Sequence, residues 1–183
     1  MTKTTLSILL ALSVSANIFF LFQSRDTGPD DGLPEEPSVD VVEAPAPGTY
    51  PFIRVIDGNT VAIGYAGRTE HVRLLGIRAP EPNVPGGPEC QANEAIAHLR
   101  TLARTGTVVM AFDGIHGPRD TLGRLTAYIE LPDGTDLGES MLQDGFAREF
   151  SPTVTHDRSE QYQAAEQYAN ENELGLWNPE ICS

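Results

Sequence analysis

Lysine is almost missing from these 183 residues: Lys3 is the only one, and it precedes an uncharged apolar run. From Tyr50 onward the cations are ten arginines against nineteen Asp and Glu, a surplus of nine negative charges within a formal total of −14. Sequence-independent grip on a polyanion comes from Lys and Arg neutralising phosphates, so this composition excludes an evenly basic binding surface and leaves room only for a local arginine patch. A reactive site needs no more than such a patch inside an acidic shell, so chemistry on a polyanion is not excluded.

Other absences narrow the field further. His71, His98, His116 and His156 show no metal-ligand spacing, so hydrogen-bonding or solvated roles are expected of them. There is no phosphate-cradling glycine loop, no nucleophile elbow, no Cys-His pairing and no internal repeat. Nothing in the sequence argues for an oligomer. The two cysteines, Cys90 and Cys182, lie far apart. In an exported protein they can pair, closing a loop of roughly 90 residues worth on the order of 4 kcal/mol in chain-entropy terms. Otherwise both remain thiols, with Cys90 buried as a small hydrophobe.

What is present divides the chain. Leu6 to Phe22 is apolar and uncharged, and at roughly 1.5 Å per residue it spans about 26 Å, enough for a membrane anchor. Val14-Ser15-Ala16 offers a small-residue cleavage pattern, but the strongest apolar cluster, Ile18 to Phe22, follows it, which favours an uncleaved anchor over a removed signal peptide. Residues 1–23 are therefore read as anchor or signal, 24–50 as an acidic Pro-rich spacer, 51–178 as one folded domain and 179–183 as a tail. The acidity of the spacer places the domain outside the cytoplasm, in the cell envelope, or secreted if the signal is removed.

Within the domain, Phe52–Ile56, Thr60–Tyr65, His71–Leu75, Val108–Phe112 and Leu125–Leu131 are short β-branched or alternating runs between turn residues such as Asp57-Gly58-Asn59. Five strands of this length suggest a small barrel. Helical spacing of Ala95, Ile96, Leu99, Leu102 and Ala103 predicts a helix over Glu89–Arg104, and two more are expected over Asp136–Asp144 and Arg158–Glu173. Tyr128 and Phe146 read as core aromatics rather than base-stacking platforms.

Five stretches, VIDGNTVAI (55–63), VRLLGIRAPE (72–81), DTLGRLTAYI (120–129), QDGFA (143–147) and GLW (175–177), occur in an order and spacing that resemble the thermonuclease, or staphylococcal-nuclease-like, family. The resemblance covers roughly Phe52 to Trp177. It implies an α+β fold, a five-stranded OB-type barrel with about three helices, and calcium-dependent cleavage of DNA and RNA phosphodiesters. Nucleic acid would then be the partner, with the membrane held through the N-terminal helix. It implies Glu81 as general base and Arg73 and Arg124 as the guanidinium clamps on the phosphate. Such roles suit the chemistry, which needs a base for the attacking water and cations for the pentacoordinate oxyanion.

The resemblance places calcium-binding carboxylates at two positions where this chain has Asn59 and Arg78. Asp57 remains as an outer carboxylate, and the Ala79 carbonyl remains as a further oxygen. An amide oxygen brings no charge, and a guanidinium beside a dication repels it by about 4 kcal/mol at roughly 4 Å, even for unit charges, with an effective dielectric near 20. Alternatively, Arg78 takes the ion's place and holds the phosphate itself. Two readings follow: an exported, membrane-tethered nuclease with a degenerate calcium site, or an inactive module of the same fold that binds or scaffolds in the envelope.

Overall fold

Segments with alternating apolar side chains bury one face when the sheet closes on itself, leaving no open edge, and here five strands do so. The computed structural model describes residues 45–104, 106–151 and 154–182. Strands β1 (Gly48–Asp57), β2 (Thr60–Tyr65) and β3 (Arg68–Leu74) form an antiparallel meander. Strands β5 (Thr107–Ala111) and β6 (Leu125–Glu130) complete a closed barrel in the order β1-β2-β3-β6-β5. Strand β1 serves both edges: Gly48 to Pro51 pair with β5 and Phe52 to Asp57 with β2. The fold is the expected OB-type barrel.

Val61, Ile63, Val72, Met110, Leu125 and Ile129 point into the barrel and are fully buried. Helix α1 (Ala92–Leu102) lays Ala92, Ala95 and Leu99 against it. Helix α2 (Leu137–Gln143) buries Leu137, Met141 and Leu142, and starts where Asp136 accepts hydrogen bonds from the amides of Gly138 and Glu139, satisfying two otherwise unpaired helix donors. Helix α3 (Ser159–Glu171) packs on α2 through the buried Tyr162.

Several elements differ from the sequence expectation for identifiable reasons. Strand β1 opens at Gly48, inside the stretch read as spacer, because Gly48 to Pro51 find ladder partners in β5. Helix α1 begins at Ala92 rather than Glu89, because Gln91 takes a left-handed conformation with φ +63, which an α-helix cannot pass through. A two-stranded ladder of β4 (Ile77–Arg78) and β7 (Arg148–Glu149) was not expected. The tail is tied down, since Cys182 forms a disulfide with Cys90 at a Cα separation of 5.8 Å.

The turn after helix α2 meets the Gly175–Trp177 segment at close range. Gly145 has φ +77, its carbonyl accepts from Leu176 N at 2.8 Å, and a Cβ there would collide with the Leu174 carbonyl oxygen. Two of the five motif stretches are therefore one packing contact. Among the described residues no helix is long and apolar enough to cross a membrane. The anchor expected over Leu6 to Phe22 lies outside them.

Candidate functional site

At one end of the barrel the turn between β1 and β2 faces the segment that follows β4. A Cβ on Gly58 would lie 2.7 Å from the Ala79 Cβ, so only glycine lets the Asp57-Gly58-Asn59 turn pack this closely. Asp57, Asn59, Arg73, Ala79, Glu81 and Arg124 line a single cleft there, of about 480 Å³. Six of the positions singled out in the sequence thus meet in one place.

The parallel pairing of β3 with β6 brings the two arginines together, because Arg73 sits within β3 and Arg124 directly precedes β6. Arg73 Nη1 donates to Leu74 O at 2.9 Å and Nη2 to Ile77 O at 2.7 Å. Burial lowers the Arg73 pKa from its ordinary value and repulsion by Arg124 lowers it further, while Asp57, Asp120 and Glu81 oppose the shift. Arg124 is held by Asp120, which accepts from its Nε at 2.7 Å and from its amide at 2.9 Å. Asp120 belongs to the DTLGR stretch and orients the second guanidinium, a role the sequence reading did not assign.

Arg78 lies elsewhere. Its Nη2 donates to Glu89 Oε1 at 2.8 Å, and its side chain lines a neighbouring cleft rather than the one holding Asp57 and Glu81. Glu89, eleven residues on, draws the Arg78 side chain into that neighbouring cleft. Glu89 also accepts the Glu81 amide through Oε2 at 2.9 Å, so one carboxylate fastens both Arg78 and the start of the Glu81 loop.

The donors around the expected ion position are few. The Asn59 amide satisfies its surroundings when its nitrogen donates to Asp57 Oδ1 at 3.0 Å and to Thr60 Oγ1 at 3.2 Å, and its oxygen accepts from Ala79 N at 3.2 Å. The Asn59 backbone N–H also donates to Asp57 Oδ1, at 2.9 Å. Asp57 and Glu81 are the carboxylates of the cleft lining, and among the described residues no group of three His, Cys, Asp or Glu gathers to hold a metal.

A buried polar network adjoins the site and was not legible in advance. Tyr128 OH donates to Asp113 Oδ2 at 2.8 Å and lies 3.0 Å from His156 Nδ1. Asp113 also accepts from the amides of Ile115, His116 and Asp157 and pairs with the His116 ring. Burial pushes its carboxyl up, but these bonds outweigh it and hold the group below the usual carboxylate range. Three of the histidines hydrogen-bond, His116 and His156 in this network and His98 with Asp144 at 2.7 Å, stacked on Phe146, while His71 is exposed. Tyr128 is a core aromatic, 3% exposed. Arg73 and Arg124 also border a second hollow of about 300 Å³ with Leu122 and Phe150 on its walls.

Comparison with known proteins agrees with this architecture. Residues 71–179 match the family model described as staphylococcal nuclease homologue. The chain is 30% identical over 129 residues to the endonuclease YncB of Bacillus subtilis, covering 68% of this chain and 59% of that protein. The SPbeta prophage-derived endonuclease YokF of the same organism is likewise 30% identical over 129 residues, which make up 42% of its length. This chain therefore spans only about half of those two relatives. Against the thermonuclease of Staphylococcus intermedius the identity is 30% over 176 residues, 95% of this chain and 96% of that one. With its five-stranded barrel, its paired arginines and the match over more than half its length, the chain belongs to the staphylococcal nuclease homologue family.

Proposed function

We propose that this chain is a phosphodiester hydrolase acting on nucleic acid, with a calcium site too degenerate to hold the ion tightly. One observation carries the reading: Arg73, Arg124 and Glu81 line one cleft, with the two guanidiniums near enough for Arg124 to depress the pKa of Arg73. Two guanidiniums held this close repel one another, and an anion entering between them relieves that repulsion. A phosphodiester entering the cleft would meet guanidiniums suited to bidentate contact with its oxygens, and Glu81 would take the proton of the attacking water. The apolar hollow behind the arginines offers Leu122 and Phe150 to a base.

The cation position does not suit calcium, which takes roughly six to eight oxygen ligands. Asn59 spends its amide on Asp57 and Ala79, and Arg78 contributes no oxygen. Hydrolysis is therefore derived from the side chains alone, with the developing charge met by Arg73 and Arg124. Export with the domain outside the cytoplasm is supported by the apolar run Leu6 to Phe22 and by the Cys90–Cys182 disulfide, which persists in oxidising compartments. The run would also serve as the membrane tether.

A second reading, a catalytically inactive binding or scaffold module of the same fold in the cell envelope, draws on the commitment of both Arg73 terminal nitrogens to backbone carbonyls. One assay separates the two. The full chain is incubated with DNA and with RNA, in calcium and in chelator, beside Glu81→Gln and the double change Asn59→Asp plus Arg78→Asp. Cleavage by the unchanged chain that Glu81→Gln abolishes supports the hydrolase. Cleavage by the double variant alone identifies an inactive descendant of the enzyme.

A further inference from the structure

We propose that the cleft beside the disulfide is a second phosphate subsite, in which Arg78 and Arg148 seat a phosphodiester of the same strand next to the reacting one. The proposal rests on the nucleic-acid reading above. Arg78 and Arg148 are register partners on the antiparallel β4–β7 ladder. Directly opposed residues share a face with their Cβ atoms about 5 Å apart, and like charges in that position are destabilising. A two-residue ladder that sets two arginines in register brings like charges to one short edge, and an anion held there would offset their repulsion.

The cleft is about 280 Å³, and Arg78, Arg148, Glu89 and the Cys90–Cys182 bridge stand on its walls. Glu89 neutralises Arg78 only in part, since it also holds the Glu81 amide and the Arg78 side chain stays 43% exposed. Arg148 lies with its guanidinium carbon 4.1 Å from the centre of the Trp177 ring. A guanidinium seated on an aromatic ring is braced by cation–π attraction while its in-plane N–H groups stay available to an oxyanion. Among the described residues no carboxylate reaches ion-pair distance of Arg148, although Glu166 feels its charge.

Position identifies the ligand. Pro80 lines both this cleft and the one that holds Arg73, Glu81 and Arg124. Four of the ten arginines of an otherwise acidic domain therefore surround two adjoining clefts. That is the local patch the composition demands of anything gripping a polyanion, and a continuous strand, rather than a free phosphate, occupies both clefts at once.

The test measures binding by the full chain carrying Glu81→Gln, which suppresses cutting, to a fluorescent single-stranded 12-nucleotide DNA, a dinucleotide and inorganic phosphate across a salt series. Arg148→Gln and Arg78→Gln should each weaken the 12-nucleotide strand about three- to tenfold and lower its salt slope by about one, leaving the dinucleotide unchanged. Arg148→Lys should keep most of the affinity, which separates charge from packing on Trp177. Arg100→Gln, an equal loss of charge on α1 outside both clefts, should change nothing. If Arg148→Gln matches Arg100→Gln, the subsite is wrong. Saturable phosphate binding lost in Arg148→Gln, with strand affinity intact, overturns the strand in favour of a free anion. A parent chain that binds the dinucleotide but gains nothing from the longer strand overturns the subsite alone, and one that binds no nucleic acid overturns the nucleic-acid reading with it.

Discussion

The amide of Glu81 donates to Oε2 of Glu89 at 2.9 Å, and the amide of Glu89 donates back to the Glu81 carbonyl at 3.0 Å. This reciprocal pair closes the neck of the loop that carries the proposed base. A base acts only within hydrogen-bond reach of the water it deprotonates, so the neck decides how often Glu81 is in place. Glu89→Ala should lower kcat about tenfold and speed hydrogen exchange of the loop amides. Glu89→Gln, which still offers an oxygen to the Glu81 amide, should lose less. Equal kcat in all three proteins would show that the neck does not position Glu81.

Calcium uptake is the second test. Titration calorimetry of the unchanged chain should give no saturable signal at millimolar calcium, because the cleft offers only the carboxylates of Asp57 and Glu81 and Asn59 brings no charge. Asn59→Asp adds a charge, and with Arg78→Asp it should create binding at roughly micromolar to millimolar strength. Tight binding by the natural chain would contradict the proposed degenerate site.

How much of this was visible in the sequence depended on the range of the signal. The Thr60–Tyr65 strand is read at its observed bounds because Val61 to Ile63 leave nothing polar to expose and turn residues bracket them. The motif stretches located Asp57, Asn59, Arg73, Glu81 and Arg124, which do meet in one cleft. The β4–β7 ladder has two residues a side, too few to show a period. The direction of the Arg78 side chain was not legible, because it is set by Glu89, a neighbour only in space. Asp113, Tyr128 and His156 come from three segments, and no local pattern announces that their polar atoms will be buried together.

The disulfide gives a third prediction. Cys90 and Cys182 are 92 positions apart, so the bond removes a large loop from the unfolded ensemble. Cys182→Ser should lower stability by up to about 4 kcal/mol, read as a lower denaturant midpoint with a steeper slope, since the unlinked unfolded chain exposes more surface. Reductant should bring the natural chain to the same midpoint and leave the variant where it is. A midpoint indifferent to both would mean that the bridge contributes nothing to holding the tail.

Acid should weaken the fold in two separable stages. Burial holds the His156 imidazole below its ordinary value near 6.5, with Glu149 pulling the other way, so the native state resists the proton that the unfolded chain accepts. A depressed histidine contributes stability that is complete above pH 6.5 and falls as pH drops through that value toward the native one. Asp113 behaves alike lower down: its carboxyl is held below its ordinary 3.8, and its contribution is lost as pH falls through and beneath that range. Each pH unit between native and unfolded values is worth up to about 1.4 kcal/mol. His156→Gln should be less stable at pH 8 yet nearly flat between pH 7 and 5, where the natural chain slopes. Asp113→Asn should flatten the segment below pH 4 and, by removing a charge that favours the protonated His156, steepen the loss between pH 7 and 5. Urea midpoints across that range separate the stages, and a natural chain with no slope between pH 7 and 5 would mean that His156 charges as readily folded as unfolded.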